Sequence, residues 1–158
     1  MGRSFYSFVL ILLVACGDGV GLKLLPERSL VLAFGDSLTF GAGAPFDAGY
    51  PVVLEELTGF RVINAGVAGE VTADGLRRLP DCLARHQPKP MVLIHGGNDM
   101  LRRMSHRATA ANLEAMITLI RDAGAEVATV GVPQPRLILS TAAFYMDVAE
   151  KTGIPIEK

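Results

Sequence analysis

At 158 residues the chain fits one domain with room for a real core. A formal net charge of -1 and a pI near 6.3 leave no basic surplus for nucleic acid, and no charge block marks a tail. Mean hydropathy of +0.36 is high for a soluble chain, and part of the excess lies in the first sixteen residues.

Those residues carry one arginine, Arg3, then an apolar run over residues 8–15, then Cys16. One positive charge, a short apolar core and a small residue before the cut form a secretory signal. The run is too short to anchor stably across a bilayer. Leu13-Val14-Ala15-Cys16 resembles a bacterial lipobox, which implies a signal peptide over residues 1–15 and a lipidated Cys16 that attaches the exported chain to a membrane. Gly17 follows the cysteine where inner-membrane retention uses aspartate, which favours the outer membrane. Residues 16–28 read as a tether, and residues 29–158 as the domain. Cys82, the only other cysteine, reads as a small core residue. With no Cys-x-x-Cys, no His-x-x-x-His and no acidic cluster, neither metal nor cofactor is expected.

Strand and helix patterns then alternate. Residues 29–34, 61–65, 90–95 and 126–132 are short runs rich in Val, Ile and Leu, which suits strands buried on both faces of a parallel sheet. A fifth strand is expected at residues 154–156. Helical periodicity covers residues 50–58, 72–86, 109–123 and 142–151. Such alternation gives a doubly wound sheet with right-handed crossovers. A further helix is wanted after the fifth strand, so on pattern the domain reads as C-terminally incomplete.

Three polar motifs close three successive strands: Gly35-Asp36-Ser37, then Asn64-Ala65-Gly66-Val67-Ala68-Gly69-Glu70, then Gly96-Gly97-Asn98-Asp99. In a parallel sheet these ends share one edge, where open α/β sheets bind ligands. Together and in this order they resemble the SGNH, or GDSL, hydrolases, in the bacterial thioesterase, lysophospholipase and arylesterase branch. Tyr50-Pro51 and Arg78-Leu79-Pro80 agree. The resemblance implies an α/β fold, a flavodoxin-like three-layer α/β/α sandwich with parallel strand order 2-1-3-4-5. It also implies a catalytic trio: Ser37 as the nucleophile toward an acyl ester or thioester, with the backbone N–H groups of Ser37 and Gly69 and the amide of Asn98 around the oxyanion. Substrates implied are lysophospholipids, short- to medium-chain fatty esters and aryl esters. Residues 101–108 would shape acyl recognition.

A serine hydroxyl is a poor nucleophile without a base. The resemblance supplies one from an Asp-x-x-His block that this sequence does not contain. His95, at the end of strand three, reads as packing or lining the pocket. His106 reads as a loop residue among Arg102, Arg103 and Arg107, and His86 as a helix terminus. Asp36 and Asp99 read as local loop-holding carboxylates. The chain alone is therefore expected to turn over poorly. A non-catalytic acyl-ligand-binding lipoprotein is the second reading. A carbohydrate O-acetyl esterase stays open within the enzyme class. A nucleotide binder is disfavoured, since the loop after strand one lacks a phosphate-cradling series ending in Lys-Ser/Thr.

Overall fold

The structure, a computed structural model, describes residues 29–45, 47–134 and 140–157. The expected signal segment, Cys16 and the whole of the expected tether lie outside them. The elements run β1 (Leu30–Gly35), α1 (Ser37–Phe40), α2 (Tyr50–Thr58), β2 (Arg61–Gly66), α3 (Thr72–His86) and β3 (Pro90–Ile94). They continue with α4 (Gly97–Leu101), α5 (His106–Asp122), β4 (Glu126–Val130), α6 (Ala143–Thr152) and β5 (Ile156–Glu157).

All strand pairs are parallel, and the sheet order is β2-β1-β3-β4-β5. The order reverses direction at β1, so right-handed crossovers send the β1–β2 connection to one face and the later connections to the other. Accordingly α3, α5 and α6 pack side by side, while α1 and α2 lie against β2. Matching register places Gly35 beside both Gly66 and Ile94, so the ends of β1, β2 and β3 are level.

The core sits between β1, β3 and the three-helix face. Leu32 and Phe34 of β1 and Met91 and Leu93 of β3 are buried there with Leu79 of α3. Leu113, Met116, Ile117 and Ile120 of α5 recur at helical spacing and are all buried. Burying each such side chain contributes about 1.5–3 kcal/mol. Tyr145 and Val148 of α6 complete this layer.

Four expectations need correction. β2 is an edge strand with no buried residue, because one of its sides has no neighbour. β4 alternates between buried and half-buried positions rather than being buried throughout. α5 begins at His106 because Ser105 caps it, its side chain accepting from the Ala108 N–H at 3.4 Å. Cys82 packs against the core but is only half-buried, and its Sγ accepts from Arg78 Nη1 at 3.4 Å.

Candidate active site

The site begins where β1 runs out of room. A side chain at Gly35 would meet the Ile94 carbonyl oxygen at 1.9 Å, so glycine alone lets β1 and β3 pair to their ends. The Asp36 N–H then donates to that same oxygen at 3.3 Å. Its Oδ1 accepts from the Leu38 N–H at 3.1 Å, which caps α1 and stands Ser37 at the first helical position. The Ser37 N–H has no acceptor within so early a turn.

The second and third motifs are tied to the first and to each other. After β2, the Val67 N–H donates to the Gly35 carbonyl at 3.0 Å. Gly69 follows with φ +78°, a left-handed value that favours glycine. Its carbonyl accepts from Arg102 Nη2 at 2.8 Å. After β3, Asn98 occupies the first turn of α4, and its Nδ2 donates to the Glu70 carbonyl at 3.0 Å. Ser37, Leu38, Asn98, Leu101, Val132 and Pro133 line one cavity of about 190 Å³. Thus Ser37 and Asn98 share a pocket. Gly69 lies outside its lining and reaches Asn98 through the adjoining Glu70.

The two aspartates differ from each other. Asp36 is local, as its capping bond requires, and it also borders the cavity. Its Oδ2 is buried with no hydrogen-bond partner among the described residues. Burial raises its carboxyl above the usual range; the Leu38 amide, His95 and the nearby Gly97 amide oppose this, and burial wins. Asp99 is not local. It accepts from the Thr72 N–H at 2.9 Å, the Thr72 hydroxyl at 2.6 Å and the Thr109 hydroxyl at 3.3 Å, and so joins α4 to α3 and α5.

None of the histidines offers a free ring nitrogen toward Ser37. His95 is fully buried, as expected of a packing residue. Its Nδ1 accepts from the Gly96 N–H at 3.1 Å, which fixes the proton on Nε2, 3.2 Å from Glu70 Oε2. Its carbonyl accepts from the Tyr145 hydroxyl at 2.7 Å. His106 is not in the loop but opens α5, with its ring 5.2 Å from that of Phe144 in the groove between α5 and α6. His86 ends α3, which returns the chain to the opposite edge of the sheet.

A cluster of buried Glu70 and His95 with half-buried Arg78 had no signal of its own in the sequence. Arg78 reaches Glu70 with Nε at 2.8 Å and Nη2 at 2.6 Å. Burial opposes the Arg78 charge, but the Glu70 carboxylate more than offsets this and keeps it protonated.

Residues 33–152 match the GDSL-like lipase/acylhydrolase family. The chain belongs to that family. It is 33% identical to the esterase TesA of Pseudomonas aeruginosa, over 91% of this chain and 78% of that protein. It is 37% identical to an arylesterase of Vibrio mimicus over 69% of this chain, and spans only 56% of that relative's length. The thioesterase 1/protease 1/lysophospholipase L1 of Escherichia coli is 29% identical, with 64% of its length covered. Among solved structures, the SGNH-hydrolase family esterase AlinE4 superposes with a TM-score of 0.74 at 30% identity, over 84% of this chain and 77% of that one. The fold and strand order are those that family resemblance implied.

Proposed function

We propose that Ser37 is the nucleophile of a serine esterase acting on acyl esters or thioesters. The observation that carries this reading is the shared cavity: Ser37 and Asn98 line one pocket with Leu38, Leu101, Val132 and Pro133, at the point where the strand order reverses. Apolar walls suit an acyl chain. In the reaction, Ser37 Oγ bonds to the carbonyl carbon and its proton leaves to a base. The resulting oxyanion is held by the N–H groups of Ser37 and Gly69 and by Asn98 Nδ2. Each such donor is worth about 3–4 kcal/mol when it fits the transition state. Collapse expels the alcohol or thiol and leaves acyl-Ser37, which water then cleaves by the reverse steps. Candidate substrates are lysophospholipids, short- to medium-chain fatty esters and aryl esters.

The base is the step this sequence does not supply. Both nitrogens of His95 are engaged, His106 faces another groove and His86 ends α3 at the other edge. The engaged nitrogens of His95 favour a second reading, an acyl-binding lipoprotein that holds ligand without turning it over. The two separate on Ser37→Ala in the native protein. The esterase reading expects loss of p-nitrophenyl ester turnover and of labelling by a phosphonate. The binding reading expects ligand retention unchanged by the substitution, with no turnover to lose.

We further propose export by residues 1–15 and lipid attachment at Cys16, supported by the lipobox-like Leu13-Val14-Ala15-Cys16. Release of Cys16→Ser from the membrane fraction is the expected result, and unchanged membrane association refutes it.

A further inference from the structure

Glu70 directly follows Gly69 and is buried although it carries a carboxylate. Two N–H groups of the Arg78 guanidinium grip that carboxylate from α3, a fork that lysine cannot make. His95 Nε2 meets the same group from the end of β3 at 3.2 Å. The clamp is itself referenced to the sheet. Arg78 Nη2 also donates to the Ala65 carbonyl in β2 at 3.2 Å, and the guanidinium lies 4.2 Å from the Phe34 ring centre in β1. At Gly75 a side chain would come within 2.4 Å of His95 Nε2, so α3 leaves room for the ring at just this point.

The main chain of Glu70 faces the other way in function. Its carbonyl accepts from Asn98 Nδ2 at 3.0 Å. A carboxamide is planar, so fixing one N–H fixes the direction of the other. Removing charges from water to pair them is a weak way to stabilise a fold; the two-pronged contact from Arg78 instead fixes the direction of the Glu70 carboxylate.

We propose that Glu70, clamped by Arg78 and His95, is a positioning residue that aims the free N–H of Asn98 at the oxyanion. The proposal rests on the esterase reading of Ser37 and Asn98 given above. Glu70 touches no reacting atom; it acts through Asn98.

The test reads Asn98 directly. Asparagine occurs at three positions, Asn64, Asn98 and Asn112, so selective ¹⁵N labelling gives three pairs of side-chain amide signals, one pair for each NH2 group. Asn112 Nδ2 donates to Thr72 Oγ1 at 2.9 Å and serves as the internal control. In Glu70→Gln and Arg78→Lys the Asn98 amide protons should exchange with solvent faster by roughly tenfold, the scale of one hydrogen bond, while Asn112 is unchanged. An Asn98 signal that keeps its shift and protection in either folded variant overturns the proposal. Glu70→Gln keeps the shape of the side chain and covers the case in which Arg78→Lys does not fold.

Kinetics of the native protein separate the two claims. With Ser37→Ala inactive, Glu70→Gln should lower kcat by roughly ten- to a hundredfold at unchanged KM, short of the roughly 10²–10³ for an absent donor. In an Asn98→Ala background it should add nothing. Additive losses, or a changed KM with kcat intact, overturn the positioning role and leave the esterase standing. Turnover that survives Ser37→Ala overturns the esterase, and the Asn98 signal still decides the contact.

Discussion

Asp99 holds Thr72 by both carboxylate oxygens, one on the backbone N–H at 2.9 Å and one on the hydroxyl at 2.6 Å. Thr72 opens α3 and Asp99 lies in α4, so a carboxylate from one helix completes the first turn of another. The pair is buried. Asp99→Ala leaves the Thr72 donors and the Thr109 hydroxyl without this acceptor and should cost about 3–5 kcal/mol. Urea denaturation of the 158-residue chain checks this; a midpoint within error of wild type contradicts it.

Asp36 predicts a pH dependence of stability. Its folded pKa is raised above the ordinary 3.8, chiefly by burial. Between those two values the folded state binds the proton more tightly than the unfolded state, so stability falls as pH rises. The contribution is fully present below 3.8 and is lost once pH passes the raised value. Asp36→Asn cannot ionise and lacks this dependence. The wild type should therefore lose stability relative to Asp36→Asn as pH climbs from about 4, measured by denaturation across pH. A constant difference between the two proteins contradicts it.

The proposed oxyanion donors, Asn98 and Gly69, predict an asymmetric pair of variants. Asn98→Ala should lower kcat of the native protein by roughly 10²–10³ with little change in KM. Gly69→Ala meets no crowding, with only Arg102 Nη2 near the new side chain at 3.9 Å, but its φ of +78° is strained for alanine. That strain costs about 1–2 kcal/mol. Thermal melting should detect both changes, the first through the lost hydrogen bond from Asn98 Nδ2 to the Glu70 carbonyl, whereas kcat should fall further in the first.

Turnover by the purified 158-residue chain should be roughly 10⁶-fold below that of a relative with its base in place, as when a triad loses its histidine. The expectation comes from the occupied nitrogens of His95 and the remote positions of His86 and His106. Hydrolysis of p-nitrophenyl butyrate at a relative's rate contradicts it and returns His95 to consideration.

The legible parts of the fold were those written in short range. Apolar runs ending in glycine-rich turns marked β1 and β3 and delivered Ser37 and Asn98 to one edge. The helices of α2 and α3 were bounded as read because Gly59 and the start of the apolar stripe lie in the local sequence. The two helices that hold the site, α1 and α4, were not legible, since four or five residues are too few to show a period. Neither was the Glu70–Arg78–His95 cluster. Its members sit on the loop after β2, on α3 and at the end of β3, and only strand register brings them together. Asp99 misled for the same reason: its neighbours in the chain suggest a turn, and its partners lie on other helices.

The level ends of β1, β2 and β3 also bear on how the protein folds. Gly35 pairs with Gly66 on one side and Ile94 on the other, and the pocket is lined from the segments after β1, β3 and β4, so no two strands alone complete it. Both crossovers must close first, and parallel pairing over such separations is slow because chain entropy is lost before contacts are gained. Ligand affinity should therefore emerge late during refolding, after most helix has formed.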